Sequence, residues 1–286
     1  MLDLHLHSTF SDGSDTPEAL VAIGARIGLR GMALTDHDNV RGAGAFLQAC
    51  RAHRLTGLTG VELSAEVPAG TLHILGFGVD PSHAELLRTL DRVLDGRAER
   101  NAQILRRLQG QGFELSWDEV TAQAGEDVVG RPHFAMALQR RGYVASMPEA
   151  FEKFLGKGKS AYVDRYRLAP AEGIRLIRAA GGLPVIAHPF TWLADDAALA
   201  AALPALVAYG LGGIEAYYPE YAPERLVTYL RLARKLGLVL TGGTDYHGAA
   251  KPKVAMGTAN GRFGVPDALL APLLQALPSR VGVVEP

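Results

Sequence analysis

Hydrophobic residues along this chain fall into short runs separated by longer amphipathic stretches. The runs "LDLHLH" (2–7), "GMALTD" (31–36), "GLTGVEL" (57–63), "TLHILGFGV" (71–79), "LPVIAH" (183–188), "GIEAYY" (213–218) and "LVLTGGTD" (238–245) read as strands. Between most of them, apolar residues recur at three- and four-residue spacing and predict helices over 16–28, 40–53, 170–180, 195–208 and 223–236. The first of these is well delimited: Thr16 stands at the N-cap, Pro17 at the first helical position, and Gly28 at the stop. Strand and helix alternating along 286 residues predict an α/β fold, a parallel sheet closed into a barrel.

The alternation breaks between about 83 and 162. Residues 83–109 read as one long charged helix, and shorter helical patterns follow near 116–124, 132–141 and 148–155, with no convincing strand. This predicts a barrel built from 1–99 and 163–286, with 100–162 inserted as a small helical cap domain. "RAERNAQILRRLQ" (97–109) looks basic, but interleaved acidic residues make it read as a solvated helix face. No fixed-period repeat and no low-complexity tract interrupts the pattern.

The unusual positions are the polar ones at strand ends. His5 and His7 alternate with Leu4 and Leu6, so both imidazoles point to one face of the first strand. Asp36 and His37 end the second strand and Glu62 the third; His73 lies in the fourth, His188 ends the fifth, and Asp245 and His247 follow the last. In a parallel barrel the C-terminal strand ends converge on one mouth, where catalytic groups are found. His53, His83 and His133 instead fall in helical stretches. Six histidines and several carboxylates packed together would be costly unless something binds their lone pairs. Divalent ions do so, and imidazole with carboxylate and no thiolate suits Mn, Fe or Zn better than Mg. The ligands are too many for one ion, so two or three ions sharing a bridging carboxylate are expected.

Bulk properties remove other classes. With 29 basic against 30 acidic residues, a wide basic face for long nucleic acid is not expected, although a local anion pocket is compatible. The single cysteine, Cys50, excludes an internal disulfide and a cysteine-rich zinc site, and reads as core. Neither a signal-peptide pattern nor a run of about 18 uninterrupted apolar residues is present, so a cytoplasmic protein with no membrane partner is expected. No obligatory protein partner is visible.

"HLHSTFSDG", "LTDHD", "GVE", "AHP" and "GTDYH", in that order, resemble the successive motifs of the PHP (polymerase and histidinol phosphatase) superfamily, and the resemblance runs over nearly the whole chain. It implies a distorted (β/α)7 TIM-like barrel with a trinuclear metal centre. It implies that a first ion takes His5, His7, Glu62 and Asp245. A second takes Glu62 as a bridge with His73 and His188, and a third takes Asp12, His37 and His247. "GRPHFA" (130–135) and the helical insertion resemble the nucleotide phosphatase branch. That branch implies removal of phosphate from 3′,5′-bisphosphonucleotides and 5′-AMP, with trimming of short RNA from the 5′ end in some members. It also implies that Arg131 and His133 contact substrate phosphate. Tyr246 stands where many members carry Phe, a small change.

The chemistry expected is hydrolysis of a phosphate monoester, in which water shared by two ions has a depressed pKa and supplies hydroxide. Asp245, His188, Arg131 and His133 form the expected catalytic set, and Arg131 can hold two phosphoryl oxygens at once. His133 reads as a phosphate ligand, a general acid or a helix-start residue. "LGKGKSAYV" (155–163) offers Lys157 as an anion contact and Tyr162 as a stacking surface, or else forms a solvated hinge. Asp36 and Glu215 read as groups that orient ligands, Asp38 as an N-cap or surface residue, and Tyr217, Tyr218 and Tyr221 as loop packing or a base pocket. Histidinol-phosphate phosphatase is the alternative activity. A polymerase-associated PHP domain is disfavoured because no polymerase region is present, and a binding module without turnover is disfavoured by the complete ligand set.

Overall fold

The computed structural model describes residues 1–122, 129–259, 261 and 263–286. Seven strands follow one another around a nearly closed sheet: β1 (Leu2–Leu6), β2 (Gly31–Leu34), β3 (Thr56–Ala65), β4 (Leu72–Phe77), β5 (Leu183–Ala187), β6 (Gly213–Tyr217) and β7 (Val239–Gly242). The first and last strands meet just beyond β7, where the His7 N–H donates to the Tyr246 carbonyl at 3.0 Å. Helices α1 (Pro17–Arg26), α2 (Ala43–His53), α3 (Ala84–Gly110), α4 (Trp117–Thr121), α5 (Arg131–Arg140), α6 (Met147–Ala150), α7 (Pro170–Ala179), α8 (Asp196–Ala208), α9 (Pro223–Leu236) and α10 (Leu270–Ala276) complete the chain with a short β8 (Val283–Val284). A π-helical turn, Phe151–Leu155, extends α6. The helix predicted over 116–124 forms as α4, and its last two positions lie outside the described residues. The sequence pattern gave no warning of α10 and β8. α10 packs Leu273 and Leu274 into the cluster containing Leu2, Leu58 and Phe77, and β8 pairs antiparallel with Gly57 and Leu58 of β3.

One expectation needs correction. The pairs β1–β2, β2–β3, β5–β6 and β6–β7 are parallel, but β4 runs antiparallel to both of its neighbours. Only residues 66–71 connect β3 to β4, too few for the crossover that a parallel neighbour requires. His73 therefore reaches the mouth from the start of its strand, level with Ser64 near the end of β3 and Ala187 at the end of β5.

The reversal also explains the long helix. β4 ends away from the mouth, so the chain must return. α3 has 27 residues, about 40 Å at 1.5 Å per residue. Its first half packs Leu86, Leu90 and Val93 into the barrel's largest apolar cluster. Its second half contributes Ile104 and Leu108 to a separate cluster with Phe134, Leu138, Val144 and Leu155. His83 caps α3 through Nδ1, which accepts the Leu86 N–H at 3.2 Å, and His53 is exposed at the end of α2, so both have roles away from the mouth. Cys50 is a free, buried thiol, pushed up to about 12 by burial. No described helix is long and apolar enough to cross a membrane.

Candidate metal centre

At the mouth, one carboxylate collects five imidazoles. Glu62 Oε2 lies 3.2 Å from His5 Nε2, 3.1 Å from His7 Nε2 and 3.2 Å from His37 Nδ1. Its Oε1 lies 2.6 Å from His73 Nδ1 and 3.0 Å from His188 Nε2. Period-two alternation puts His5 and His7 here while Leu6 packs with Leu20, Val21 and Phe46 under α1 and α2. Close backbone approach matters too: a Cβ on Gly243 would sit 2.3 Å from His5 Cβ, so glycine is required where the last segment passes the first strand. His188 (φ 21°) and Asp245 (φ 54°) are non-glycine residues in the left-handed region, a conformation held only where surrounding contacts enforce it.

Three overlapping groups bring ligand atoms within 4.8 Å of one another: His5, His7, Glu62 and Asp245; His37, Glu62 and His73; and His7, Asp12, His37 and His247. The four residues expected around the first ion come together as one group. His188 joins Glu62 and His73 through its 3.0 Å contact, with His37 closer to that pair than the sequence suggested. His7 accompanies Asp12, His37 and His247. Four buried atoms, His7 Nε2, Asp12 Oδ1, His37 Nδ1 and His73 Nδ1, lack a hydrogen-bond partner although each is close to an opposite charge. Buried imidazole nitrogens and carboxylate oxygens converging with no hydrogen bond at these four atoms fit cations, and this donor set is suited to divalent ions.

The surroundings hold each ligand in place. Glu215 is fully buried; its Oε1 lies 2.9 Å from His5 Nδ1, and its Oε2 accepts the His188 N–H at 2.6 Å. Asp36 acts through a loop rather than on an imidazole: it accepts from Ser8 N–H (2.7 Å), Ser8 Oγ (2.7 Å) and Ser11 Oγ (2.6 Å), fixing the turn that carries Asp12. Asp245 turns Oδ1 toward His7 Nε2 at 3.1 Å, while Oδ2 accepts from Tyr218 at 3.0 Å and from Lys251 at 2.6 Å. Lys251 was not anticipated, since a lone lysine in a loop carries no sequence signal. Tyr218 alone of the three tyrosines touches a candidate ligand; the Tyr221 hydroxyl donates to the Glu215 carbonyl at 3.2 Å.

Two cavities meet at this cluster and share Asp12, His37, Thr71, His73 and Pro132. One, of about 570 Å³, is walled by Met136, Met147, Phe190, Tyr218 and His133. The other, of about 510 Å³, is walled by Arg97, Arg100, Arg131, Lys157, Tyr162, Arg165 and Arg167. Arg131 rests over the Tyr162 ring, 5.3 Å from its centre, and donates to the Leu155 carbonyl at 3.3 Å. That contact gives Tyr162 a role under the guanidinium. Lys157 donates to the Pro68 carbonyl at 2.9 Å, spanning from the insertion to the barrel. His133 Nδ1 accepts the Gly130 N–H at 2.8 Å, which places its own proton on Nε2, and burial lowers its pKa. It is thus a neutral donor that also starts α5. Asp38 overturns its surface assignment: it is 1% exposed and accepts from Arg97 at 2.5 Å and Arg165 at 3.3 Å. The solvated reading of 97–109 fails at its first turn for the same reason.

The imidazoles predict a pH signature. Burial lowers the pKa of His7, but Asp245 and Glu62 outweigh it and raise the group from 6.5 to about 9 without metal. His5 is raised well above 6.5 by Glu215, Glu62 and Asp245 against its own burial. A raised folded-state pKa stabilises fully below 6.5, and the stabilisation is lost as pH rises to about 9. Metal-free protein should therefore lose roughly 3 kcal/mol over that window, at 1.36 kcal/mol per unit. Metal ions displace these protons, so metal affinity should rise with pH across the same range. Melting curves from pH 6 to 9, with and without Mn, test this; a metal-free Tm independent of pH would contradict it.

The pattern defining the PHP domain family matches residues 3–140. The chain is 31% identical to a 3′,5′-nucleoside bisphosphate phosphatase of Chromobacterium violaceum, over 86% of this chain and 87% of that one. It is also 31% identical to a 5′-3′ exoribonuclease of Haemophilus influenzae (86% and 89% covered) and to a phosphoribosyl 1,2-cyclic phosphate 1,2-diphosphodiesterase of Eggerthella lenta (86% and 94% covered). A crystal structure from Bifidobacterium adolescentis, of a protein named by assignment a metal-dependent phosphoesterase, superposes with a TM-score of 0.83 at 31% identity, over 96% of each chain.

Proposed function

The chain belongs to the PHP domain family, and from that premise we propose that it is a metal-dependent phosphoesterase that hydrolyses phosphate monoesters of nucleotides, namely 3′,5′-bisphosphonucleotides and 5′-AMP, and the phosphodiester nearest the 5′ end of short RNA. The observation that carries this reading is Glu62, one buried carboxylate shared by five imidazoles where two cavities meet. In this reading His5, His7, Glu62 and Asp245 hold one ion, Glu62, His73 and His188 a second, and Asp12, His37 and His247 a third. Bound divalent ions of the Mn, Fe or Zn kind supply charge neutralisation at phosphoryl oxygens and acidify water.

The chain's own residues do the rest. Arg131, held on Tyr162, offers a planar pair of N–H donors to a phosphoryl group. His133 presents a neutral Nε2–H toward a leaving oxygen. Tyr218 and Lys251 hold Asp245 so that only Oδ1 faces the imidazoles. Phe190, Tyr218, Met136 and Met147 form an apolar wall suited to a base. The described residues of the 100–162 segment act as a cap over the mouth.

Mn-loaded protein should release phosphate from adenosine 3′,5′-bisphosphate and 5′-AMP, and Asp245→Asn should cut that rate by about 100-fold or more, the scale of removing one preorganised charge. A panel with histidinol phosphate and a ribose cyclic phosphate checks the substrate. Preference for histidinol phosphate, or turnover of the cyclic diester alone, would keep the metal centre and overturn the nucleotide assignment.

A further inference from the structure

The turn after β5 that carries His188 is tied down by Thr191. The Thr191 N–H donates to the His188 carbonyl at 3.0 Å. Its Oγ1 lies 3.0 Å from that carbonyl, 2.9 Å from the Thr71 carbonyl and 3.0 Å from His188 Nδ1. The Thr71 N–H closes the ring by donating to the Thr191 carbonyl at 2.8 Å. A hydroxyl has one proton, and carbonyls only accept. The Thr191 proton therefore goes to a carbonyl, and Nδ1 is left as the donor to Oγ1. With its proton on Nδ1, His188 keeps an unshared pair on Nε2, the atom 3.0 Å from Glu62 Oε1.

Two other imidazoles have comparable outer partners. His5 Nδ1 faces Glu215 Oε1, and His247 Nδ1 lies 2.8 Å from the Asp245 carbonyl. Of the three partners, Thr191 alone joins its histidine to the connection between β3 and β4, residues 66–71. That connection lines the arginine-walled cavity, and Thr71 lines both cavities. Its Pro68 carbonyl also accepts Lys157 from the insertion. The fit between connection and turn is close: at Gly70 (φ 73°) a Cβ would lie 2.2 Å from the Trp192 carbonyl oxygen. His188 itself, at φ 21°, holds a backbone conformation that persists only where contacts of this kind enforce it.

We propose that Thr191 is a positioning residue. Its hydroxyl sets the ring orientation and tautomer of His188 and fastens that ligand to the connection lining both cavities. The ion assigned to Glu62, His73 and His188 is then held only as firmly as this contact allows. The inference rests on the metal-centre part of the phosphoesterase reading and deepens it.

The test is calorimetric titration of Mn into the metal-free full chain as wild type, Thr191→Val and Thr191→Ser. Valine keeps the shape and removes the hydroxyl, whereas serine keeps the hydroxyl. Thr191→Val should weaken one ion by about 10- to 100-fold, the range for losing the outer partner of a metal-binding histidine, and leave the others nearly unchanged. Thr191→Ser should restore wild-type affinity. Phosphate release from 5′-AMP should follow, with the half-saturating Mn concentration rising by the same factor. A role confined to packing would lower Tm and leave the ratio of Mn affinities as it is. Equal weakening of every ion, unchanged affinity in Thr191→Val, or no recovery in Thr191→Ser overturns the proposal. Imidazole nitrogen NMR of Zn-loaded wild type judges the hydrogen bond without any variant. His188 should carry its proton on Nδ1, and a proton on Nε2 overturns the proposal even where Thr191→Val does not fold. If wild type binds Mn but turns over no nucleotide, the substrate assignment fails, and the Mn affinities still decide for or against Thr191. Wild type that binds no divalent ion overturns both readings.

Discussion

Glu62→Gln should abolish metal-dependent phosphate release and the metal-dependent rise in Tm together. Both Glu62 oxygens are committed, Oε1 to His73 and His188, Oε2 to His5, His7 and His37, at 2.6 to 3.2 Å. Glutamine keeps the shape but replaces one acceptor with an NH₂ donor and removes the charge, so one oxygen position becomes repulsive to any cation. Activity should fall by roughly 10³-fold or more, because the charge that assembles the centre is gone. In wild type, one ion present at 100 times its Kd adds about 2.7 kcal/mol of stability; in the variant that increment should vanish. The metal-free variant should remain folded, since glutamine fills the same space and the imidazoles around it can release their protons, as guanidiniums cannot. The slope of stability between pH 6.5 and 9 should also shrink, because Glu62 helps hold the His5 and His7 protons. Thermal melts with and without Mn, paired with phosphate release, decide it. Activity within tenfold of wild type would remove Glu62 from its central place.

The second large effect is expected away from the metal ligands. Asp38→Asn should destabilise the fold by about 3–5 kcal/mol, the cost of stranding buried charges by removing their partner. Asp38 is 1% exposed, and Arg97 and Arg165 both depend on it; its Oδ1 also accepts the Ser64 N–H at 3.2 Å. Asn preserves the backbone acceptor and tolerates the left-handed φ of 51°, so the loss isolates the charge. For a chain of this size, Tm should drop by about 6–15 °C. The sign with pH follows from a carboxyl held below its usual 3.8, against its own burial, by Arg165 and Arg97. Its stabilisation is complete above that value and is lost as pH falls through the lower folded-state pKa. Wild type and Asp38→Asn should therefore converge in stability at low pH. A variant with an unshifted Tm at pH 7 would show that the guanidiniums find other partners.

Much of this protein was legible in its residues taken in order. Strands and helices followed from local periodicity, and the caps of α1 from Thr16 and Pro17, because those preferences act within a few residues. The clustering of His5, His7, Glu62 and Asp245 was foreseeable because strand ends in a barrel share one mouth, and side chains two apart share one face. The direction of β4 was also available, in the six residues that join it to β3, but the alternating pattern masked it.

The tertiary structure decided how charges are shared. Asp38 meets Arg97 from 59 residues away and Arg165 from 127, and no local pattern reports such a pairing. Read along α3, Arg97 and Arg100 sit among acidic neighbours and look solvated. Only the return of that helix toward the mouth turns them inward beside Arg165 and Arg131. Sequence fixes which charges a segment carries, whereas their neutralisation depends on distance and burial in three dimensions, and those exist only once the chain is folded.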